Sequence, residues 1–76
     1  MKKKIMNLTK GDIFEAPNGT ITVCVDNTAK SGVIFTTTID NFISVEINNK
    51  GVYGYTNSGW EEFDPSTVVN VKGSLI

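Results

Sequence analysis

The stretch TITVCVD, residues 20–26, alternates apolar and polar side chains without interruption. Because successive side chains of a β-strand point to opposite faces, this period of two predicts a strand. Ile21, Val23 and Val25 share one face, and we expect that odd-numbered face to pack in the core. The even-numbered face, which carries Cys24 beside threonines, is then the outer face of the strand.

Clusters of turn-forming residues flank this strand and recur along the chain at a spacing of roughly ten residues. They are APNG (16–19), NTAKSG (27–32), DN (40–41), NNKG (48–51), NSG (57–59) and DPS (64–66). The runs between them are rich in Val, Ile, Thr and aromatic residues, which strands prefer, and poor in Ala and Leu. The pattern predicts a single all-β domain over residues 1–76, a small antiparallel barrel or sandwich of five to six strands.

The run VIFTTTIDNFISVEIN, residues 33–48, carries apolar residues at odd positions on both sides of a turn signal. A three-residue loop with a bulge would pair Ile39 with Ile43 and keep both apolar sets on one face, whereas a two-residue turn would separate them. We therefore expect the longer loop, with Asn41 or its neighbour in a left-handed conformation. Phe42 then lies at the loop tip, where it either folds back over the end of the barrel or is presented to a partner.

The stretch GVYGYTNSGWEEF, residues 51–63, contains both tyrosines, the only tryptophan and one of the four phenylalanines. NSG predicts a three-residue hairpin loop in which Gly59 has a positive φ. The predicted register places Thr56 opposite Trp60, Tyr55 opposite Glu61 and Tyr53 opposite Phe63. These aromatic residues are explained as cross-strand pairs, each stabilising the sheet by a fraction of a kcal/mol to about 1 kcal/mol.

A second interpretation makes the hairpin a binding surface, because a domain this thin cannot bury both of its faces. Exposed aromatic side chains beside carboxylates are typical of protein interaction hot spots. The candidate partner-binding residues, within an acidic and aromatic surface spanning residues 40–63 and its flank, are Phe42, Tyr53, Tyr55, Trp60, Glu61, Glu62 and Asp64. Trp60 with Glu61 and Glu62 is the expected centre of this surface.

The charge distribution favours a protein partner over nucleic acid. All seven basic residues are lysines, and three of them lie at positions 2–4 in a basic N-terminal segment, residues 1–6. The remaining body has four lysines against eight acids, a net charge of −4. A nucleic-acid-binding face needs clustered cations, which here would require Lys2, Lys3, Lys4 and Lys10 to gather at one edge. We expect instead that the N-terminal lysines form a solvated terminus that aids solubility.

Several kinds of site are excluded by composition. The chain has no histidine and one cysteine, so we expect no disulfide within the chain, no metal site and no cofactor. The commonest general base is missing, and Glu61 and Glu62 point to opposite faces of a strand, so they are not a catalytic carboxylate pair. We therefore expect a non-enzyme without catalytic residues.

The chain also lacks an apolar run of membrane-spanning length, and its single cysteine fits a reducing compartment. We expect a cytoplasmic protein that does not enter membranes. Abundant Asn, Lys and Ile with no arginine fit an AT-rich bacterial or phage genome, in which case the location is the host cytoplasm.

These observations lead to one main functional expectation and two alternatives. The main expectation is a phage or bacterial inhibitor or adaptor that binds a protein partner, for example by covering the cationic groove of a nucleic-acid-processing host defence enzyme with its carboxylates. The first alternative is a homo-oligomer that binds a small, nucleotide-like molecule between copies against Trp60, Tyr53 or Tyr55. The second alternative is a nucleic-acid-binding barrel, which depends on the four lysines at positions 2, 3, 4 and 10 gathering at one edge.

Two short stretches resemble segments of Src-homology-three-like barrels. LTKGDIF, residues 8–14, is similar to the segment that enters the second strand of those domains. FDPSTVVNV, residues 63–71, is similar to their short helical turn before the closing strand. The resemblance implies a five- or six-stranded barrel with a helical turn near residues 64–68.

In that second stretch the resemblance makes Asp64 the cap and Pro65 the first residue of the turn. It also implies that Val68, Val69 and Val71 return to the core. The tyrosine motif that lines the proline-peptide groove of the family is not found in residues 1–12. The resemblance therefore extends to the fold and not to binding of proline-rich peptides.

Overall fold

The computed structural model describes residues 1–42 and 59–75, and within them six strands form a single sheet. The strands are β1 (Lys2–Lys4), β2 (Asp12–Glu15), β3 (Ile21–Asp26), β4 (Val33–Thr37), β5 (Gly59–Glu62) and β6 (Val68–Ser74). Their order across the sheet is β1-β6-β2-β3-β4-β5, and each neighbouring pair is antiparallel. The prediction of a small antiparallel all-β fold with five to six strands is confirmed.

The turn predicted at APNG connects β2 to β3 as a three-residue hairpin loop. The Gly19 N–H donates to the Ala16 carbonyl at 2.8 Å, and the Ala16 N–H donates to the Thr20 carbonyl at 2.8 Å. Gly19 has a φ of 88°, in the left-handed region that glycine adopts without steric cost. The Asn18 side chain accepts a hydrogen bond from the Thr20 N–H, which is the local bond that favours asparagine in turns.

The core lies against one face of the sheet, here called the inner face. Its buried members are Ile5, Leu8, Phe14, Ala16, Cys24, Ile34, Val69 and Val71, and the half-buried Phe63 packs against them. Residues directly opposite each other in antiparallel strands share a face, so the pairing of Phe14 with both Thr22 and Val71 assigns these side chains to the inner face. The outer face is defined in the same way by Val23, which pairs with Ile13 on one side and with Thr37 on the other.

The prediction that the odd-numbered residues of β3 pack in the core holds for the fully buried Val23 but is wrong for Ile21. Cys24 is fully buried in the core cluster, whereas Ile21 is 45% exposed on the outer face. Val23 is buried as well, but it lies outside that cluster. Thr22 can occupy the inner face because its hydroxyl donates to the Thr37 carbonyl at 3.1 Å, so its burial leaves no unpaired polar group.

β4 shows the same reversal. Ile34 and Thr36 are buried on the inner face, whereas Val33, expected in the core, is 39% exposed. The Thr36 hydroxyl donates to the Glu61 carboxylate at 3.0 Å. Because its hydroxyl is hydrogen-bonded, Thr36 takes a core position, although the pattern of apolar residues predicts that its neighbours would occupy the core.

The N-terminal segment is part of the fold rather than a solvated terminus. β1 pairs with β6, and it leads into a 3-10 turn, Ile5–Asn7, that places Ile5 in the core. Alternation along β1 separates Lys3 from Lys2 and Lys4. Lys3 donates to the buried Asp12 carboxylate at 2.9 Å, so the three lysines do not form one cationic patch.

The chain is helical at residues 39–42, where the sequence predicted a bulged hairpin loop. The Phe42 N–H donates to the Thr38 carbonyl at 2.9 Å, and the Asn41 N–H donates to the Thr38 hydroxyl at 3.3 Å. Thr38 therefore caps a helical turn whose first residues include Asp40, a favourable acid. The predictions of a strand-like Ile39 and a left-handed Asn41 are wrong, because the capping threonine was not recognised. Among the described non-glycine residues, only one at position 30 has a positive φ.

The DPS signal forms a single hydrogen-bonded turn between β5 and β6. The Thr67 N–H donates to the Asp64 carbonyl at 2.9 Å, with Pro65 at the second position of the turn. After this turn Val69 and Val71 enter the core as expected, whereas Val68 is 55% exposed on the outer face.

Candidate functional site

The candidate site is the outer face of β5 together with the part of β4 that it contacts. Every residue of β5 is exposed. The register places Glu62 opposite Val33, Trp60 opposite Phe35 and Gly59 opposite Thr36. Gly59, expected in a loop with a positive φ, is instead the first residue of this strand.

Trp60 is the most exposed aromatic residue of this site, with 61% of its surface accessible. It contacts the half-buried Phe35 in an edge-to-face arrangement, with ring centroids 5.0 Å apart and planes inclined at 62°. Such an aromatic pair is worth about 0.5–1.5 kcal/mol beyond its area burial. The indole is therefore held in position on the sheet while much of its surface stays in contact with water.

Glu61 and Glu62 have different surroundings although they are neighbours in the chain. Glu61 lies opposite the buried Ile34 on the inner face and accepts the hydrogen bond from the Thr36 hydroxyl. Glu62 shares the outer face with Trp60, opposite the exposed Val33. The prediction that the two carboxylates point to opposite faces agrees with this register, and only Glu62 belongs to the aromatic surface.

Asp64 follows β5 and closes the turn toward β6. Its carboxylate accepts hydrogen bonds from the Ser66 hydroxyl at 2.7 Å and from the Ser66 N–H at 2.9 Å. These two bonds, with the hydroxyl contributing more, hold the pKa of the Asp64 carboxyl below its usual range. Asp64 is thus a fully exposed and ionised group near Glu62, with a structural role in the turn.

Of the remaining predicted residues, only Phe42 lies in the described part of the chain, and it does not join this surface. Phe42 is 2% exposed, so it is a buried side chain and not a loop-tip contact. Tyr53 and Tyr55 lie outside the described residues, as do the predicted pairing of residues 53–56 with β5 and the pairing partner Ile43.

Sequence reasoning missed Val33 and Phe35, which it assigned to the core. Their exposure follows from the pairing of β4 with β5 and from the burial of Thr36 on the other face. No local signal in the chain marks this reversal, because the hydroxyl of the buried Thr36 finds its partner, Glu61, on a neighbouring strand 25 positions later.

Cys24 is a buried thiol with no features of a reactive cysteine. Burial first, and then the nearby carboxylates of Asp12 and Asp26, together raise its pKa from 9.0 to about 12, against an opposing effect of Lys3. The thiolate is the nucleophilic form, so the thiol is inert at neutral pH. Residues 1–42 and 59–75 contain no group of three His, Cys, Asp or Glu side chains that could hold a metal ion.

We predict that Cys24 reports on unfolding in two ways. The folded thiol keeps its proton between pH 9 and about 12, whereas the unfolded thiol releases it, so stability falls with rising pH in that window. Relative to Cys24→Ala, the free energy of unfolding of the wild type should fall by on the order of 1 kcal/mol per pH unit in this window. At pH 8 a disulfide reagent should modify Cys24 only at the rate of global opening. Parallel stability curves for both proteins, or rapid modification of the folded protein, would contradict the buried position.

The fold and this site together define a class: a small antiparallel β domain that presents an aromatic and acidic strand to solvent. Within the described ranges, no helix is long and apolar enough to span a membrane. No protein-family model matches the chain, and no curated protein and no solved structure matches it either.

Proposed function

We propose that this protein is a non-enzymatic binding module that recognises a protein partner through the outer face of β4 and β5. We call this surface the aromatic–acidic strand surface and define it by Val33, Phe35, Trp60 and Glu62. The observation that carries the proposal is the 61% exposure of an indole that is already held in one orientation by Phe35.

A preordered aromatic side chain is well suited to binding because little conformational freedom remains to be lost on association. Tryptophan is among the residues most enriched in interaction hot spots, and neighbouring apolar residues exclude water around it. Val33 is 39% exposed beside Glu62 and can fill that second role. The polar edge of the surface is supplied by carboxylates at positions 62 and 64.

The acidic character of the surface supports an inhibitor or adaptor that binds a basic partner. Complementary charges accelerate encounter and discriminate against wrong partners more than they raise affinity. A nucleic-acid-processing enzyme of a host defence system, with its cationic groove, is the kind of partner that fits this chemistry.

The test compares substitutions of two exposed apolar side chains on different parts of the sheet. Trp60→Ser removes the indole, and Val68→Ser removes an apolar side chain of similar exposure, 55%, from β6, which is separated from β5 by three strands in the sheet order. Both purified variants are first checked for folding by circular dichroism and urea unfolding. Tagged wild type and variants are then used to capture partners from a bacterial lysate, and affinity is measured for any purified partner.

The expected result is a partner retained by the wild type and by Val68→Ser but bound about 30-fold or more weakly by Trp60→Ser, the loss typical of a hot-spot residue. A partner bound equally well by the two variants would show that binding does not use this surface.

A further inference from the structure

We propose that the aromatic–acidic strand surface binds an arginine side chain of the partner, with the guanidinium lying over the Trp60 indole and paired with the Glu62 carboxylate. This inference rests on the proposed function and specifies the chemistry of the group that the site recognises.

The spacing of the two groups fits such a ligand. Trp60 and Glu62 are two positions apart on the same face of a strand, so their Cβ atoms are separated by roughly 6.6 Å. A cation attracted to an indole lies within about 6 Å of the ring centroid. A guanidinium over the indole is therefore within reach of the carboxylate at position 62.

The two contacts act on different properties of the same group. The electron-rich face of tryptophan attracts a cation more strongly than that of phenylalanine or tyrosine. A carboxylate accepts two parallel hydrogen bonds from the edge of a guanidinium, which fixes its plane as well as its position. The arginine guanidinium can make both contacts. The ammonium of lysine is a strongly hydrated point charge, so it makes each of these contacts less well.

The protein does not supply this cation from its own described residues. The ion pair found there joins Lys3 to Asp12 at the other side of the sheet order, and none within residues 1–42 and 59–75 involves Glu62. The nearby Asp64 carboxylate is ionised, and its two hydrogen bonds come from Ser66, a neutral residue. Within residues 1–42 and 59–75, the outer face of β5 thus combines a fixed indole with a carboxylate that has no cationic partner, an arrangement that favours a cationic ligand.

The test titrates the protein with a peptide of uncharged glycine and serine residues into which several arginines are placed, and with matched peptides that carry lysines or glutamates instead. The single tryptophan gives a direct fluorescence signal for a ligand on the indole, and calorimetry gives the affinity. Glu62→Gln removes one charge from the outer face. Glu61→Gln is the matched control, because it removes the same charge one residue away on the inner face, and its amide oxygen can still accept the Thr36 hydroxyl bond.

We expect the arginine peptide to change the Trp60 emission and to bind several-fold more tightly than the lysine peptide, with no binding of the glutamate peptide. Glu62→Gln should weaken arginine-peptide binding about 5- to 10-fold, and Glu61→Gln less than about 2-fold. Equal effects of the two substitutions would mean diffuse attraction by net charge and would overturn the inference. The same holds if the arginine peptide does not bind.

The two proposals fail differently. A purified partner that needs Trp60 but is bound with unchanged affinity by Glu62→Gln would leave the protein-binding function in place and would overturn the arginine site alone. A partner whose binding is insensitive to Trp60→Ser would remove the function itself.

Discussion

Gly32→Ala is expected to destabilise the protein by about 3 to 4 kcal/mol. Gly32 has a φ of 90°, and its carbonyl accepts a hydrogen bond from the Phe63 N–H at 2.6 Å. A Cβ at this position would overlap the Phe63 carbonyl oxygen and approach Pro65 Cδ at 3.0 Å. Because the colliding atom is backbone, the whole segment that leads from β5 into the turn would have to move.

Gly19→Ala is the matched control for this prediction. Gly19 has nearly the same φ, 88°, but a Cβ there meets no atom within 4 Å. Gly19→Ala should therefore lower the free energy of unfolding only by the backbone strain of an alanine at this φ, about 1 to 2 kcal/mol. Urea unfolding of both variants separates the two contributions. If both substitutions cost the same, the close approach of Gly32 to residues 63–65 is not present in solution.

Asn27→Asp is expected to cost about 4 kcal/mol at pH 7, more than Asn27→Ala at about 2 to 3 kcal/mol. The buried Asn27 amide donates both of its protons, to the Ile5 carbonyl at 2.8 Å and to the Leu8 carbonyl at 2.9 Å. These bonds tie the β3–β4 loop to both ends of the 3-10 turn. Alanine removes the two donors, whereas aspartate also buries a charged oxygen against two carbonyl oxygens.

The pH dependence of the Asn27→Asp variant distinguishes these causes. Burial against acceptors raises the folded pKa of the new carboxyl above its unfolded value of about 3.9. A group whose pKa is higher in the folded than in the unfolded protein favours the folded state most below its unfolded pKa, and the free energy of unfolding falls as the pH rises above it. The difference in the free energy of unfolding between Asn27→Asp and the wild type should therefore shrink by more than 1 kcal/mol when the pH is lowered from 7 to 3, because the protonated carboxyl regains one donor. A difference that is the same at both pH values would contradict this account.

Local features of the fold were predictable where a few neighbouring residues decide the structure. The turn at residues 16–19 follows from proline, asparagine and a glycine that accepts a left-handed conformation. The bonds from Ser66 to Asp64 likewise involve residues two positions apart. The opposite orientations of Glu61 and Glu62 required only that β5 be a strand.

The candidate site was predicted in part, because Trp60 and Glu62 are exposed together whereas Phe42 is buried. Its position next to Val33 and Phe35 could not be read from the chain. That neighbourhood depends on the pairing of β4 with a strand that begins more than twenty residues later.

The sequence by itself determined that this protein is a small antiparallel β domain, where its turns at residues 16–19 and 64–67 lie, and that its residues 59–63 carry aromatic and acidic groups. Only the tertiary structure decided which face of each strand is buried and which residues of β4 lie beside the indole. The physical reason is that the alternation of side chains along a strand divides them between two faces but does not determine which face is buried and which is exposed. Burial of Thr22 and Thr36 became favourable only once their hydroxyls had partners on neighbouring strands, the Thr37 carbonyl and the Glu61 carboxylate.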